Sequence, residues 1–218
     1  MHFHGGRFVS GSKDREALPL LYHLAAAGWV TVSADYGLAP AGEFPQAHVD
    51  AKRVLAWVQE QIADQGGDPA RVIVTGNSAG AHLALFAALT SDDPRYQPGF
   101  EGARTGVAAA IGLGGYYGPL SADRPDSSVA AHARDDAPPL LLIHADRDPV
   151  VPAQDVRHLA ETLRGRSRAP VVHAALPGTV HSLGYARSAQ TRAINAAVDV
   201  FCARALGFAG HDSPRARQ

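Results

Sequence analysis

A serine placed between two glycines is the sequence feature with the clearest chemical meaning. Gly76-Asn77-Ser78-Ala79-Gly80 follows an apolar run at 71–75 and leads into an Ala- and Leu-rich stretch at 79–89. A strand that turns sharply into a helix at Gly-x-Ser-x-Gly exposes the serine as a nucleophile, and its small neighbours leave room for the strained turn. The N–H of Ala79 and the positive end of the helix would then face a developing oxyanion. The alternative is an ordinary turn with a solvated serine.

A serine at its free pKa is a poor nucleophile, so it needs a base and a carboxylate that orients the base. After such a serine the acid and then the base follow along the chain, each in a loop after a strand. His181 lies in a glycine-containing loop after the predicted strand 171–176, and we expect it to be the base. Four other histidines lie within predicted helices or strands, where surface or structural roles are expected: His23, His158, His144 and His173.

Two aspartates compete for the role of the acid. Asp146 and Asp148 both follow the predicted strand 140–144, at the edge of a parallel sheet where ligands bind. We favour Asp148, because Pro149 and the two valines after it fit a rigid turn around a buried carboxylate. Asp146 is expected to cap the turn or to face solvent.

The glycines near the start of the chain suit a second set of oxyanion donors. His4-Gly5-Gly6-Arg7-Phe8 follows the first predicted strand, and glycines let backbone N–H groups approach a substrate. By itself the segment would be read as a plain Gly-Gly turn. Together with the Ser78 turn and the His181 loop, it is predicted to be the oxyanion loop.

Strands and helices alternate along the chain, which predicts an α/β fold with a mostly parallel sheet flanked by helices. We expect a single domain over residues 1–208 and a disordered tail over 209–218. The chain begins at the edge of its first strand, so we expect that Met1 is not the natural start or that N-terminal strands are missing. Strands are predicted at 2–4, 29–36, 71–75, 107–113, 140–144 and 171–176, and helices at 17–24, 54–62, 79–89, 156–163 and 194–201.

Composition limits the classes of function. The 218 residues are 46% apolar, enough for one sizeable core, and the net charge of −1 gives no support to nucleic-acid or anionic-membrane binding. The single cysteine, Cys202, excludes an intrachain disulfide and a cysteine-based zinc site, and we expect it to be a buried structural thiol. Without a long apolar run or a leader, a cytoplasmic protein is expected. An exposed edge strand would allow a homodimer without establishing one.

The sequence resembles α/β-hydrolases of the hormone-sensitive-lipase-like and carboxylesterase type, including the feruloyl/acetyl-xylan esterase-like group. The resemblance implies Ser78 as nucleophile, Asp148 as acid and His181 as base, with no metal or cofactor. It also implies Gly5, Gly6 and Ala79 around the oxyanion hole. The matching motifs run in order from residue 1 to about 205: His4-Gly5-Gly6-Arg7-Phe8, residues 32–40, Phe44-Pro45, Asp50-Ala51, residues 67–72, residues 76–83, residues 148–152 and His181-Ser182.

The departures from the family pattern bear on the substrate. Arg7 replaces a third glycine, Gly37 stands where arginine is common, and the N-terminal cap and first strands of the family are absent. The segment between Gly115 and Leu140 is too short for the large lid of lipases, so an open pocket for small or soluble esters is expected. Tyr116 and Tyr117 are candidates to line that pocket, with packing against the sheet as the equal alternative.

The resemblance implies a serine carboxylester hydrolase that acts through an acyl-enzyme on a small-molecule ester. Two alternatives stay open. The run Ser78–His82 also resembles that of arylformamidases, which cleave N-formyl aryl amides. A binding or scaffold protein on a hydrolase fold is the other alternative, although such proteins usually lose a residue of the triad.

Overall fold

One parallel sheet forms the centre of the molecule, as the sequence predicted. The computed structural model describes residues 1–181 and 183–207. Its six strands lie in the order β2-β1-β3-β4-β5-β6, and every pairing is parallel. The strands are β1 (His2–Phe3), β2 (Ser33–Ala34), β3 (Ile73–Asn77), β4 (Ala109–Leu113), β5 (Leu140–Ala145) and β6 (Val171–Leu176).

Helices cover both faces of this sheet. In β5, Leu140 and Leu142 pack into the core on one face, whereas Leu141 and Ile143 pack into the core on the other. This alternation is the two-residue period of a strand buried on both sides. The helices are α1 (Leu18–Ala26), α2 (Gln46–Gln61), α3 (Ala79–Leu89), α4 (Ala153–Arg164) and α5 (Ala189–Ala205).

Two elements differ from their predicted bounds. The predicted strand 29–36 is reduced to β2, because its only partner, β1, offers a ladder of two residue pairs. Helix α2 begins eight residues before the predicted start, at Gln46. Its first turns bury His48 and Lys52, and these polar residues hid the apolar pattern. The single domain over 1–208 stays a prediction, and the proposed tail, 209–218, lies outside the described residues.

Helix α3 is buried along its whole length, since all eleven of its residues are buried. Its first turn lies directly against β1. A Cβ added at Gly80 would lie 2.1 Å from the carbonyl oxygen of Phe3, so only glycine permits this approach. The described helices include none that is both long and apolar enough to cross a bilayer.

Gly80→Ala should destabilise the protein, although alanine is the better helix former. We expect the free energy of unfolding to fall by about 1–3 kcal/mol, because the new methyl group must push α3 away from β1. Urea denaturation of wild type and variant measures this.

Gly102→Ala is the matched control, since a Cβ there would meet nothing within 4 Å. It should change the free energy of unfolding by less than about 1 kcal/mol. Equal stabilities of the two variants would contradict the close packing of α3 on β1.

Candidate active site

Ser78 lies in the sharp turn between β3 and α3. Its backbone has φ 50° and ψ −113°, a left-handed conformation that costs a non-glycine residue about 1–3 kcal/mol. The turn is held by the N–H of Ser78, which donates to the carbonyl of Leu113 at 2.9 Å. It also needs glycine on both sides, because a Cβ at Gly76 would lie 2.1 Å from the carbonyl oxygen of Gly80. The half-buried serine is therefore held in the conformation that its motif predicts.

Two hydrogen bonds join the three candidate residues for the triad. The Oγ of Ser78 lies 3.1 Å from Nε2 of His181, and Nδ1 of His181 lies 2.7 Å from Oδ2 of Asp148. The three residues lie at the C-terminal ends of β3, β6 and β5, where parallel strands bring distant parts of the chain together. This arrangement can carry a proton from the hydroxyl to the ring while the carboxylate orients the ring.

Asp148, and not Asp146, lies against the ring of His181. The carboxylate of Asp148 is fully buried, and its Oδ1 accepts the N–H groups of Val150 at 2.8 Å and Val151 at 2.9 Å. Burial by itself would raise the pKa of Asp148, but the bonds from Val151, His181 and Val150 outweigh it and hold the pKa below its ordinary value. Asp146 is exposed and accepts the N–H of Thr179 at 3.3 Å.

A second histidine touches the same carboxylate, which sequence reasoning did not find. Nε2 of His144 lies 3.4 Å from Oδ2 of Asp148 and 3.0 Å from the carbonyl oxygen of Val151. Burial lowers the pKa of His144, and Nε2 donates to that carbonyl, since a carbonyl oxygen can only accept. The signal in the sequence is its place at the end of β5, four residues before Asp148.

The predicted oxyanion loop lies beside the serine, but its first glycine is engaged elsewhere. A Cβ at Gly5 would lie 3.2 Å from Cβ of Ser78, so glycine lets the two backbones approach. The N–H of Gly5 donates to Oε2 of Glu16 at 2.5 Å. Because an N–H has one proton, this bond leaves Gly5 without a free donor, and an oxyanion hole around Gly5, Gly6 and Ala79 stays a prediction. Within the described part of the chain, the N–H groups of Gly6, Arg7 and Ala79 have no acceptor.

Glu16 is the other residue that sequence reasoning missed. It precedes α1, is only 8% exposed, and accepts the hydroxyl of Tyr185 at 2.7 Å on its second oxygen. No motif marks it, because its partners come from segments far apart along the chain.

The two tyrosines proposed for substrate binding differ in their surroundings. Tyr117 is buried with its ring over Gly112 and Gly115, where added Cβ atoms would lie 2.0 and 2.3 Å from ring atoms or the hydroxyl. Tyr116 is 37% exposed and donates its hydroxyl to the carbonyl of Pro119 at 2.8 Å. Both line a cavity of about 480 Å³ between the loop after β4 and helix α4. Tyr117 therefore packs against the sheet and also lines the cavity.

The described residues include no group of three or more His, Cys, Asp or Glu side chains that could hold a metal ion. Cys202 is a free, buried thiol in α5, and burial raises its pKa to about 12. A buried thiol with a raised pKa has little thiolate character at pH 7, and its structural role stays a prediction.

Solved structures share the fold of this chain. A thermophilic esterase from Thermogutta terrifontis superposes with a TM-score of 0.80 at 22% identity, covering 97% of this chain and 82% of that one. A truncated carbohydrate esterase from gut microbiota gives a TM-score of 0.82 at 19% identity, with 94% and 85% covered.

Sequence relatives point the same way. The chain is 40% identical to the probable carboxylic ester hydrolase LipM of Mycobacterium tuberculosis over 86% of its length, and 36% identical to esterase LipQ of the same organism over 90%. It covers 50% and 53% of those proteins, so it spans about half the length of the curated relatives it matches. Residues 1–111 match the family model described as alpha/beta hydrolase fold. The chain belongs to the alpha/beta hydrolase fold family.

Proposed function

We propose that this protein hydrolyses carboxylic esters through an acyl-enzyme on Ser78. The proposal rests above all on the two hydrogen bonds that join the hydroxyl of Ser78, the ring of His181 and the carboxylate of Asp148. It is supported by relatives named carboxylic ester hydrolase and esterase. Family membership alone would not carry it, since one fold hosts many functions.

In the proposed reaction, Oγ of Ser78 attacks the ester carbonyl while Nε2 of His181 takes its proton. The ring then gives that proton to the departing alcohol, and the acyl group stays on Ser78. Water attacks the acyl-enzyme in the same way and releases the acid. Asp148 keeps Nδ1 of His181 protonated and stabilises the imidazolium.

The tetrahedral intermediate would place its negative oxygen among backbone N–H groups. Those of Ala79 and Gly6, together with that of Arg7, have no acceptor among the described residues, and a donor of this kind contributes about 10²–10³-fold to turnover. Gly5 provides the space next to Ser78. We therefore propose Gly6, Arg7 and Ala79 as donors, with Gly5 as the residue that lets the loop approach.

The substrates proposed are small or soluble esters, with Tyr116 and Tyr117 at the cavity between the loop after β4 and helix α4. N-formyl aryl amides would need the same nucleophile, and no contact in the site favours them. Location in the cytoplasm and a homodimer stay predictions.

Ser78→Ala should abolish hydrolysis of p-nitrophenyl butyrate. We expect turnover to fall by roughly 10⁴- to 10⁶-fold, as when a triad serine is removed from subtilisin. Ser167→Ala is the matched control, because Ser167 precedes β6 at the opposite end of the sheet. It should keep wild-type rates.

A fluorophosphonate probe gives a second readout for the same variants. Wild type and Ser167→Ala should be labelled, and Ser78→Ala should not. A wild-type protein that neither hydrolyses esters nor takes the label would contradict the proposal and favour a binding protein. Faster turnover of N-formylkynurenine than of the ester would instead assign the protein to the hydrolysis of N-formyl aryl amides.

Asp148→Asn tests the choice of acid. We expect turnover to fall by about 10⁴-fold, because an amide leaves the histidine in the wrong tautomer. Asp146→Asn should stay within a few-fold of wild type, since that carboxylate has no contact with His181 among the described residues. The reverse result would assign the acid to Asp146. Steady-state hydrolysis of p-nitrophenyl butyrate measures both variants.

A further inference from the structure

Glu16 is a buried carboxylate that the proposed reaction does not use. Its side chain accepts two neutral donors, the N–H of Gly5 at 2.5 Å and the hydroxyl of Tyr185 at 2.7 Å. No Lys, Arg or His in the described part of the chain forms an ion pair with it. Glutamate side chains are rarely buried without a cationic partner, so the position of Glu16 beside Gly5 and the Ser78 turn is unusual.

Glu16 joins the two loops that the reaction needs. Gly5 is the first glycine of the predicted oxyanion loop, and a Cβ added there would lie 3.2 Å from Cβ of Ser78. Tyr185 comes four residues after His181, in the loop that carries the base. The same loop is tied to the Ser78 turn, because Nδ2 of Asn77 donates to the carbonyl of Leu183 at 3.1 Å.

The hydrogen bonds around Gly5 fix two successive peptide units. The carbonyl of His4 accepts the hydroxyl of Tyr36 at 2.9 Å, and the N–H of the same peptide unit, that of Gly5, donates to Glu16. The next carbonyl, that of Gly5, lies 2.7 Å from Nδ1 of His4. A trans peptide is planar, so holding this carbonyl directs the N–H of Gly6 the opposite way. Glu16 thus holds the peptide unit directly before the one that carries the Gly6 N–H, a proposed oxyanion donor.

Tyr185, the second partner of Glu16, keeps the proton of its hydroxyl group. Burial, together with the bond to Glu16, raises the pKa of Tyr185 above its ordinary value, so the hydroxyl remains a donor. The two donors reach different oxygens of Glu16, and glutamine would place an NH₂ donor at one of these two positions.

We propose that Glu16 is a positioning residue, which fixes the oxyanion loop and ties it through Tyr185 to the loop of His181. The inference rests on the proposed ester hydrolysis. Its effect is on the transition state, because an oxyanion donor acts most strongly where negative charge develops.

Glu16→Ala, Glu16→Gln and Tyr185→Phe test this role, with p-nitrophenyl butyrate as substrate. We expect Glu16→Ala to lower kcat by about 10- to 100-fold, less than the loss of a donor itself, with KM within about 3-fold of wild type. Glu16→Gln keeps an acceptor for Gly5 and should retain more activity. The double variant that combines Glu16→Ala with Tyr185→Phe should have the same kcat as Glu16→Ala, because both residues act through one hydrogen-bond network. Glu60→Ala and Tyr22→Phe, at exposed sites, should match wild type.

A trifluoromethyl ketone separates positioning from general structural damage, because its adduct with Ser78 carries an oxyanion. Its inhibition constant should rise in Glu16→Ala and Glu16→Gln by the same factor by which kcat/KM falls, while fluorophosphonate still labels Ser78. Unchanged kcat, or a loss confined to KM, in both Glu16 variants would overturn the inference while leaving ester hydrolysis intact. Wild type without hydrolysis or labelling would instead overturn the proposed function. If Glu16→Ala fails to fold, Glu16→Gln and Tyr185→Phe decide the question.

Discussion

The close approach of three backbones around Ser78 is the constraint on which the site depends. The strained turn between β3 and α3 exists only because Gly76 and Gly80 have no side chains, and because Gly5 lets the oxyanion loop lie against the serine. The strain is held by a helix that is buried on every side. Ser78 is therefore attached to a fully buried helix, and His181 and Asp148 are brought to it by loops.

Much of the site follows from rules that act locally along the chain. A glycine–serine–glycine turn needs a strand before it and a helix after it, and the sequence around Ser78 has both. Ser78, Asp148 and His181 each follow an apolar strand. Because the strands are parallel, their C-terminal ends lie at one edge of the sheet, and the three residues could be predicted to lie close together. The valines after Asp148 separated it from Asp146, since their N–H groups bind the buried carboxylate. The parallel sheet followed in the same way from alternating strands and helices.

The parts that sequence reasoning missed depend on contacts between distant segments. Glu16 and Tyr185 are 169 residues apart, and neither belongs to a periodic pattern or motif. The bond from the Gly5 N–H to the other oxygen of Glu16 was equally hidden, because no motif marks Glu16 as an acceptor. The length of β2 is limited by β1, which offers only two residues to pair with it, and this limit is not visible in the sequence of β2 itself. The early start of α2 was obscured because His48 and Lys52 are polar but buried.

The shared carboxylate of Asp148 has a consequence for the energetics of folding. Because its pKa is lower in the folded protein than in the unfolded chain, the folded state favours the ionised group. This contribution to stability is complete above the unfolded pKa and is lost as the pH falls through the folded one. The two backbone N–H groups and the ring of His181 that hold the anion therefore link acid tolerance of the whole fold to the same contacts that orient the ring.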